Sequence, residues 1–247
     1  MTTLTKERPI CTTTVTQSRV QLYQPTQRPI TKKGVWIETK WGRCKVTGRI
    51  GQRHADLMDA LLFRATKRHN EKSGQIKLLV DPAEVRQTLS DDNYSFQQIW
   101  VLIEELRAVV LEIQAPNIRI LGGILDSVDY SKEYTKRDPL TGETRKMWVV
   151  HLSKTLAELI KLDLPLYHDP APITRLNSGI TQAIVRHVLT HTMQPQGGWY
   201  VDRLIETVGA SVDRKALWER KRELNEDHEG LSKLGITIEN GRLTLQK

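Results

Sequence analysis

Residues 235–247 read GITIENGRLTLQK, and the pattern on either side of Asn240-Gly241 decides the fold. Ile236, Ile238, Leu243 and Leu245 alternate with Thr237, Glu239, Arg242 and Thr244. Two runs of period two, parted by Asn-Gly, predict a β-hairpin, because both turn residues accept the positive φ of a type I′ turn. A lone hairpin is marginal in water, so the preceding chain must hold it. That chain is SVDRKALWERKRELNEDHEGLSKLG, residues 211–235, read as one longer, strongly basic helix.

Working upstream, DRLIETVG (202–209) predicts a short helix with a glycine C-cap, and GGWYV (197–201) a short strand. ITRLNSGITQAIVRHVLTHTM (173–193) carries Ile173, Leu176, Ile180, Ile184 and Val188 at helical spacing. The order is helix, strand, helix, turn, helix, two-stranded ribbon, which is that of a winged helix.

The same order stands earlier in the chain. GQRHADLMDALLFRATKR (51–68) predicts a helix and GQIKLLV (74–80) a strand. Asp81-Pro82-Ala83-Glu84 has N-cap, N1 and N3 residues of a helix that ends near Ser90. After a turn at DDNY, Ser95 and Gln98 form a capping box for a long helix from Phe96 to about Gln114, ahead of Pro116. NIRILGGILDSVDY (117–130) and MWVVHL (147–152) are strands flanking the polar excursion SKEYTKRDPLTGETRK. GVWIETKWGRCKVTG (34–48) gives one or two more strands. We therefore expect an α+β chain of two tandem winged-helix domains. They span residues 35–164 and 173–247, are joined by the Pro-rich linker PLYHDPAP (165–172), and follow a disordered basic arm, residues 1–34.

Composition narrows the function. The 247 residues carry a net charge of +8, which suggests a polyanionic partner. Residues 1–53 hold eleven of the Lys and Arg against Glu7 and Glu38 alone, so that segment accounts for the whole excess. An arm of this kind suits DNA binding; a solubilising tail has the same composition. No run of 18 uncharged apolar residues predicts a membrane span, and the first twenty residues lack the apolar core of a secretory signal. Cys11 and Cys44 lie far apart, which argues against a disulfide framework or cysteine zinc site and fits a reducing cytoplasm.

In a helix-turn-helix, residues near the start of the second helix read base edges. The helix from Phe96 is apolar through more than one stripe and carries Glu104, Glu105 and Glu112, so only Gln97 and Gln98 qualify as readers. Its apolar surplus leaves an edge for a second subunit. On the helix near Asp213, with Leu217 and Leu224 facing the core, Ser211, Lys215, Glu219 and Arg222 fall outward. Arg214 and Trp218 flank them, while Arg220 and Lys221 lie nearer the core edge, placed for phosphates. Trp218 itself reads first as a half-buried core residue, otherwise as a contact to sugar or a base methyl. The wing tips add Lys132, Lys136, Arg137, Arg145 and Lys146 in the first domain, and Arg242 and Lys247 in the second.

Catalytic patterns are missing. His187 and His191 share a helix face at i,i+4, with only His168 or Asp169 as further metal ligands. There is no phosphate-binding glycine loop, and LSKTL lacks the S-x-x-K spacing. The expectation is a non-enzyme without cofactor or metal.

At WGRCKVTGRIGQRHADLMDALL (41–62) the chain resembles plasmid replication initiators of the TrfA type. In these a Trp-led strand precedes G-x-x-x-Q-x-H-x-D-(apolar)2-D-A, matched here by Gly48, Gln52, His54, Asp56, Asp59 and Ala60. The motif covers about twenty residues; beyond it the likeness is one of element order. The resemblance implies binding to direct repeats (iterons) at a plasmid origin, with opening of A·T-rich DNA alongside host initiator and helicase. It also implies dimerisation through the first domain and repression of the chain's own promoter. Gln52, His54 and Asp56 are read as serving the first helix's start and packing. The rival readings are a winged-helix transcriptional regulator, a nicking enzyme using His187 and His191, and a maintenance adaptor with a nonspecific basic arm.

Overall fold

A computed structural model describes residues 12–90, 94–138 and 141–246. Expectations that rest on Lys6, Arg8, Cys11, Lys247 or the turn residues 91–93 lie outside them. Two hydrophobic clusters form, one from residues between Val20 and Ile160, the other from Ile173 to Leu243. They part across the Pro-rich run.

The chain opens with β1 (Thr13–Thr14) and α1 (Val15–Arg19), then the antiparallel pair β2 (Lys32–Thr39) and β3 (Gly42–Gly48). Helix α2 (Gln52–Phe63), strands β4 (Ala65–Asn70) and β5 (Ile76–Val80), and helices α3 (Pro82–Leu89) and α4 (Phe96–Ala108) follow. Next come β6 (Val110–Ala115), β7 (Ile118–Gly122), the long ribbon β8 (Leu125–Arg137) and β9 (Thr144–Leu152), and helix α5 (Lys154–Leu162). The second unit comprises β10 (Pro165–Leu166), α6 (Ala171–Thr174), α7 (Gly179–Leu189), β11 (Trp199–Tyr200) and α8 (Val201–Thr207). It ends with α9 (Arg214–Glu226), α10 (His228–Lys233), β12 (Ile236–Glu239) and β13 (Arg242–Leu245).

Strand pairing makes the internal repeat explicit. The second sheet runs β11-β13-β12, and the first unit holds the same arrangement in β5-β9-β8, with β4 added at its edge. In each, the strand between first and second helices lies beside the ribbon's last strand. Asn240 and Gly241 have φ of 49° and 73°, as the Asn-Gly turn requires. The start of α3 is also as read: Asp81 accepts from the Ala83 N–H, with Pro82 at the first position. Ser95 and Gln98 form the reciprocal cap of α4.

Three helical expectations change. Helix α4 stops at Ala108 rather than near Gln114, because Val109 turns extended and residues 110–115 become β6. The run Val109–Ile113 satisfies both periods; as a strand it buries Leu111 and Ile113 opposite Val46 and Cys44 and lets Glu112 pair Lys45 at 2.6 Å. The helix expected over 173–193 is broken between α6 and α7, where Ser178 caps α7. The helix expected over 211–235 is broken at Asp227, whose buried carboxylate accepts from the Asn177 and Ser178 N–H groups. Helix α5 had no counterpart in the sequence reading.

The largest difference concerns the basic arm. From residue 12 onward it is a packed strap. Val20, Leu22 and Tyr23 belong to the first core, and β1 pairs with β10 inside the supposed linker. Alternating apolar residues in VTQSRVQLY were too sparse to show a period, yet Val20, Leu22 and Tyr23 pack into the first core. Several of the segment's cations are engaged: Arg19 donates to Thr190, Arg43 to Gln114, and Arg49 to the Pro29 carbonyl.

Candidate nucleic-acid interface

Helix α9 has a single buried residue, Leu224, with Leu217 packed against the second core. Everything else along it faces solvent or its rim. Its N-cap is Asp213, which accepts from the Ala216 N–H at 3.0 Å. Ser211 donates to the Asp213 carboxylate at 2.6 Å, so its hydroxyl supports the cap. Among the described residues, no carboxylate lies within ion-pair distance of Arg214 or Lys215, both exposed. Trp218, one turn on, is 63% exposed and not a core residue. Arg222 covers its ring at 5.3 Å and pairs with Glu226 at 3.3 Å.

Arg220 and Lys221 do lie at the core edge, but in internal contacts. Arg220 pairs with Glu223, which also accepts from Ser178 at the start of α7. Lys221 reaches Asp202 on α8 at 2.6 Å. Together they fasten α9 to its neighbours. Arg242 stacks on Tyr200 with its guanidinium 3.9 Å from the ring centre, and the Gly241 carbonyl accepts from Val201 N–H. The wing tip is thus tied back to the start of α8.

The first unit offers less. Gln97 is exposed at the start of α4, but the Gln98 side chain accepts from the Ser95 N–H and is committed to the cap. Glu104 is exposed on the same helix. Two wing cations expected to meet phosphates are structural. Arg145 makes two 2.8 Å bonds to buried Asp81 and another to Asp138. Lys136 pairs with Asp81 and Glu84. Burial alone would raise Asp81, but Arg145, the Ala83 N–H and Lys136 outweigh it and hold the carboxyl below its usual range. Arg137 bonds the Gly142 carbonyl, leaving Lys132 and Lys146 as exposed cations with no ion pair among the described residues.

His187 lies buried between Trp41 and His191, and burial, with His191 adding, lowers it to about 3. It is neutral at any ordinary pH. Among the described residues no three His, Cys, Asp or Glu are placed to hold a metal. The sequence reading passed over a cleft of about 600 Å³ lined by Lys40, Trp41, His191, Trp199, Tyr200 and Arg203. Its walls come from both units, so no local pattern announced it.

The motif residues on α2 act at the seam. His54 accepts from the Gly51 N–H through Nδ1, which leaves Nε2–H to donate to Glu105 at 2.7 Å. Gln52, Asp56 and Asp59 instead reach across to α7, where Arg186 is buried. Its guanidinium donates to Asp56 at 2.6 Å, to Asp59 at 2.9 and 3.0 Å, and to Gln52 at 2.8 Å. Burial works against the Arg186 charge, but the two carboxylates outweigh it and raise its pKa. Burial pushes Asp59 up to about 7, with Arg186 opposing and Asp56 adding. An Asp that holds its proton more tightly folded than unfolded stabilises most at low pH, and this contribution is lost as pH rises from about 4 through 7. Asp56, Arg186 and Tyr23 are the groups that face it. Asp59→Asn should therefore flatten the stability profile over that window, by up to ~1.4 kcal/mol per pH unit. Urea midpoints measured from pH 4 to pH 8 check this.

No protein family matches the chain, and no curated protein does. Among solved structures, a crystal structure of domains 2 and 3 of RctB superposes with a TM-score of 0.55, covering 93% of this chain and 95% of that one at 9% identity. A second crystal structure of RctB domains 2–3 gives 0.49 at 9% identity, covering 92% and 94%. The first likeness is one of fold and spans both units.

Proposed function

We propose that this chain is a sequence-specific double-stranded DNA-binding protein that initiates plasmid replication, binding direct repeats at the origin and promoting melting and host helicase loading. The observation that carries DNA recognition is α9: a helix with one buried residue, set between a turn and a ribbon, with Arg214 and Lys215 exposed at its first turn and in no ion pair among the described residues. Cations there meet base edges or phosphates when the helix enters a major groove, and the exposed Trp218 ring supplies apolar contact beside them. The initiator role rests on the motif at Gly48–Ala60 and on the tandem arrangement, which gives one chain a DNA-facing helix in α9 and a second contact stretch in the first wing.

Lys215 is the leading base reader in this proposal, with Arg214 and Arg222 beside it. Lys132, Arg137 and Lys146 serve the backbone from the first wing. Dimerisation through the first unit, a cytoplasmic setting and the absence of catalysis belong to the same reading.

Footprinting on supercoiled plasmid origin DNA tests it. Protection of several direct repeats, with permanganate-reactive thymines in adjacent A·T-rich sequence, is the expected result. A single protected palindrome without melting would establish the regulator reading instead. Nicked product in the presence of divalent metal would overturn the non-enzymatic assignment.

A further inference from the structure

The two units meet at a seam where helices α2 and α7 face each other. Arg186 spans it with all three guanidinium nitrogens bonded to α2, and Gln182 adds a bond to Asp56 at 3.1 Å. Arg186, Asp56, Asp59, Gln52 and Gln182 are all buried. A buried ion cluster is a poor source of net stability, because desolvation offsets much of the attraction; its best-attested use is to fix one arrangement over others. Any sliding or rotation of α7 against α2 would strand two carboxylates or a guanidinium without partners.

A second, independent observation concerns the strap. Gly51, the N-cap of α2, and Gly179, the first residue of α7, both abut the same strap residue, Thr26. A Cβ on Gly51 would lie 2.5 Å from the Thr26 carbonyl oxygen, and one on Gly179 would lie 2.6 Å from the Thr26 and Gln27 backbone. The strap therefore runs in contact with both helix starts at a distance no side chain permits. It is further bonded to the second unit through Arg19 to Thr190, Gln21 to Thr207 and Gln27 to Leu176. Thr174 on α6 donates to the Thr88 carbonyl at the end of α3, a third tie.

We infer that the Arg186 cluster and the Thr26 strap hold the two winged-helix units as one rigid body that selects DNA by the spacing and helical phase of its two contact stretches. Two modules on a flexible tether accept a range of separations, since the tether only sets an effective concentration. Two modules fixed in both distance and orientation accept one separation, because a full helical turn of about 10 base pairs restores the phase but moves the second stretch about 34 Å along the axis. Arg186 is thus a positioning residue for specificity and touches no DNA itself. The inference rests on the tandem DNA-binding reading for its consequence, and on the seam alone for its geometry.

The test separates the two. Spin labels on Glu158→Cys and Glu229→Cys, exposed positions on α5 and α10, in a Cys11→Ser background report the distance between units in free protein. The wild-type seam should give one narrow distribution. The charge-neutral triple variant Arg186→Met, Asp56→Asn, Asp59→Asn removes the clasp without stranding a buried charge, and should broaden it. Gly179→Ala, which displaces the strap, should broaden it independently should the triple variant fold poorly. Unchanged narrow distributions in both variants would overturn the rigid clasp. In the second arm, duplexes carrying the footprinted site with 5 or 10 base pairs inserted between its two contact stretches are titrated. Wild type should lose about tenfold affinity at both 5 and 10, while the variants, released to follow the second stretch, should lose less than about threefold at 5. Equal wild-type affinity for every spacing would overturn the spacing role. Failure of wild type to bind any duplex would sink the initiator reading, and the label distances would still decide the clasp.

Discussion

Asp81→Ala should lower the unfolding free energy by about 3 kcal/mol, with the loss visible in the urea midpoint. The carboxylate is fully buried and serves three partners at once: the Ala83 N–H at the start of α3, the Arg145 fork, and Lys136. Its removal uncaps a helix and leaves two cations facing an apolar side chain. Both cations retain some access to water, which keeps the figure at the lower end of what a broken buried pair costs. The sign of the acid response follows from the lowered carboxyl. The stabilisation is present above the ordinary Asp range near pH 4 and fades as pH falls through the folded-state value. The variant should lack that acid-side fade. Asp81→Asn keeps an acceptor for the cap and should lose less.

Lys215→Ala should weaken binding to the preferred duplex by ~1–3 kcal/mol, roughly fivefold to 150-fold in Kd, and relax the preference at one base pair. The melting temperature should change little, because the side chain is exposed and makes no ion pair among the described residues. Arg222→Ala is the informative comparison. It sits about 10 Å farther along the helix and already contacts Glu226 and Trp218, so its effect should be smaller. Competition titrations against single-base variants measure both. An equal loss on every sequence would make Lys215 a phosphate contact.

The parts of the fold that were legible in sequence share one property: their signals are local. Asn240-Gly241 carries its own backbone preference, Asp81-Pro82 its own cap, Ser95 and Gln98 their reciprocal bonds. Val109–Ile113 was not legible, because an apolar run with β-branched residues fits a helix or a buried strand, and only the β3 edge decides. Arg145 and Lys136 looked like wing-tip cations because their carboxylate partner lies more than fifty residues earlier. Arg186 was passed over for the same reason, its acceptors being 127 and 130 residues away. A hint existed in its setting, an arginine between Val185 and His187 on a helix otherwise short of charge. Trp218 was expected to be half-buried, since large aromatics commonly are; its exposure marks α9 as an unusual face.

The strap also constrains the order in which the molecule can assemble. Thr12 bonds the His168 carbonyl across 156 residues, and α1 rests on α7 of the other unit. During synthesis the first core can gather as soon as residue 160 has left the ribosome, but the strand that completes the seam has nothing to zip onto until the following helices emerge. Closure of so long a loop is slow and comes late. Newly made chains should thus pass through a stage in which residues 12–19 are open to protease while residues 44–160 already resist it.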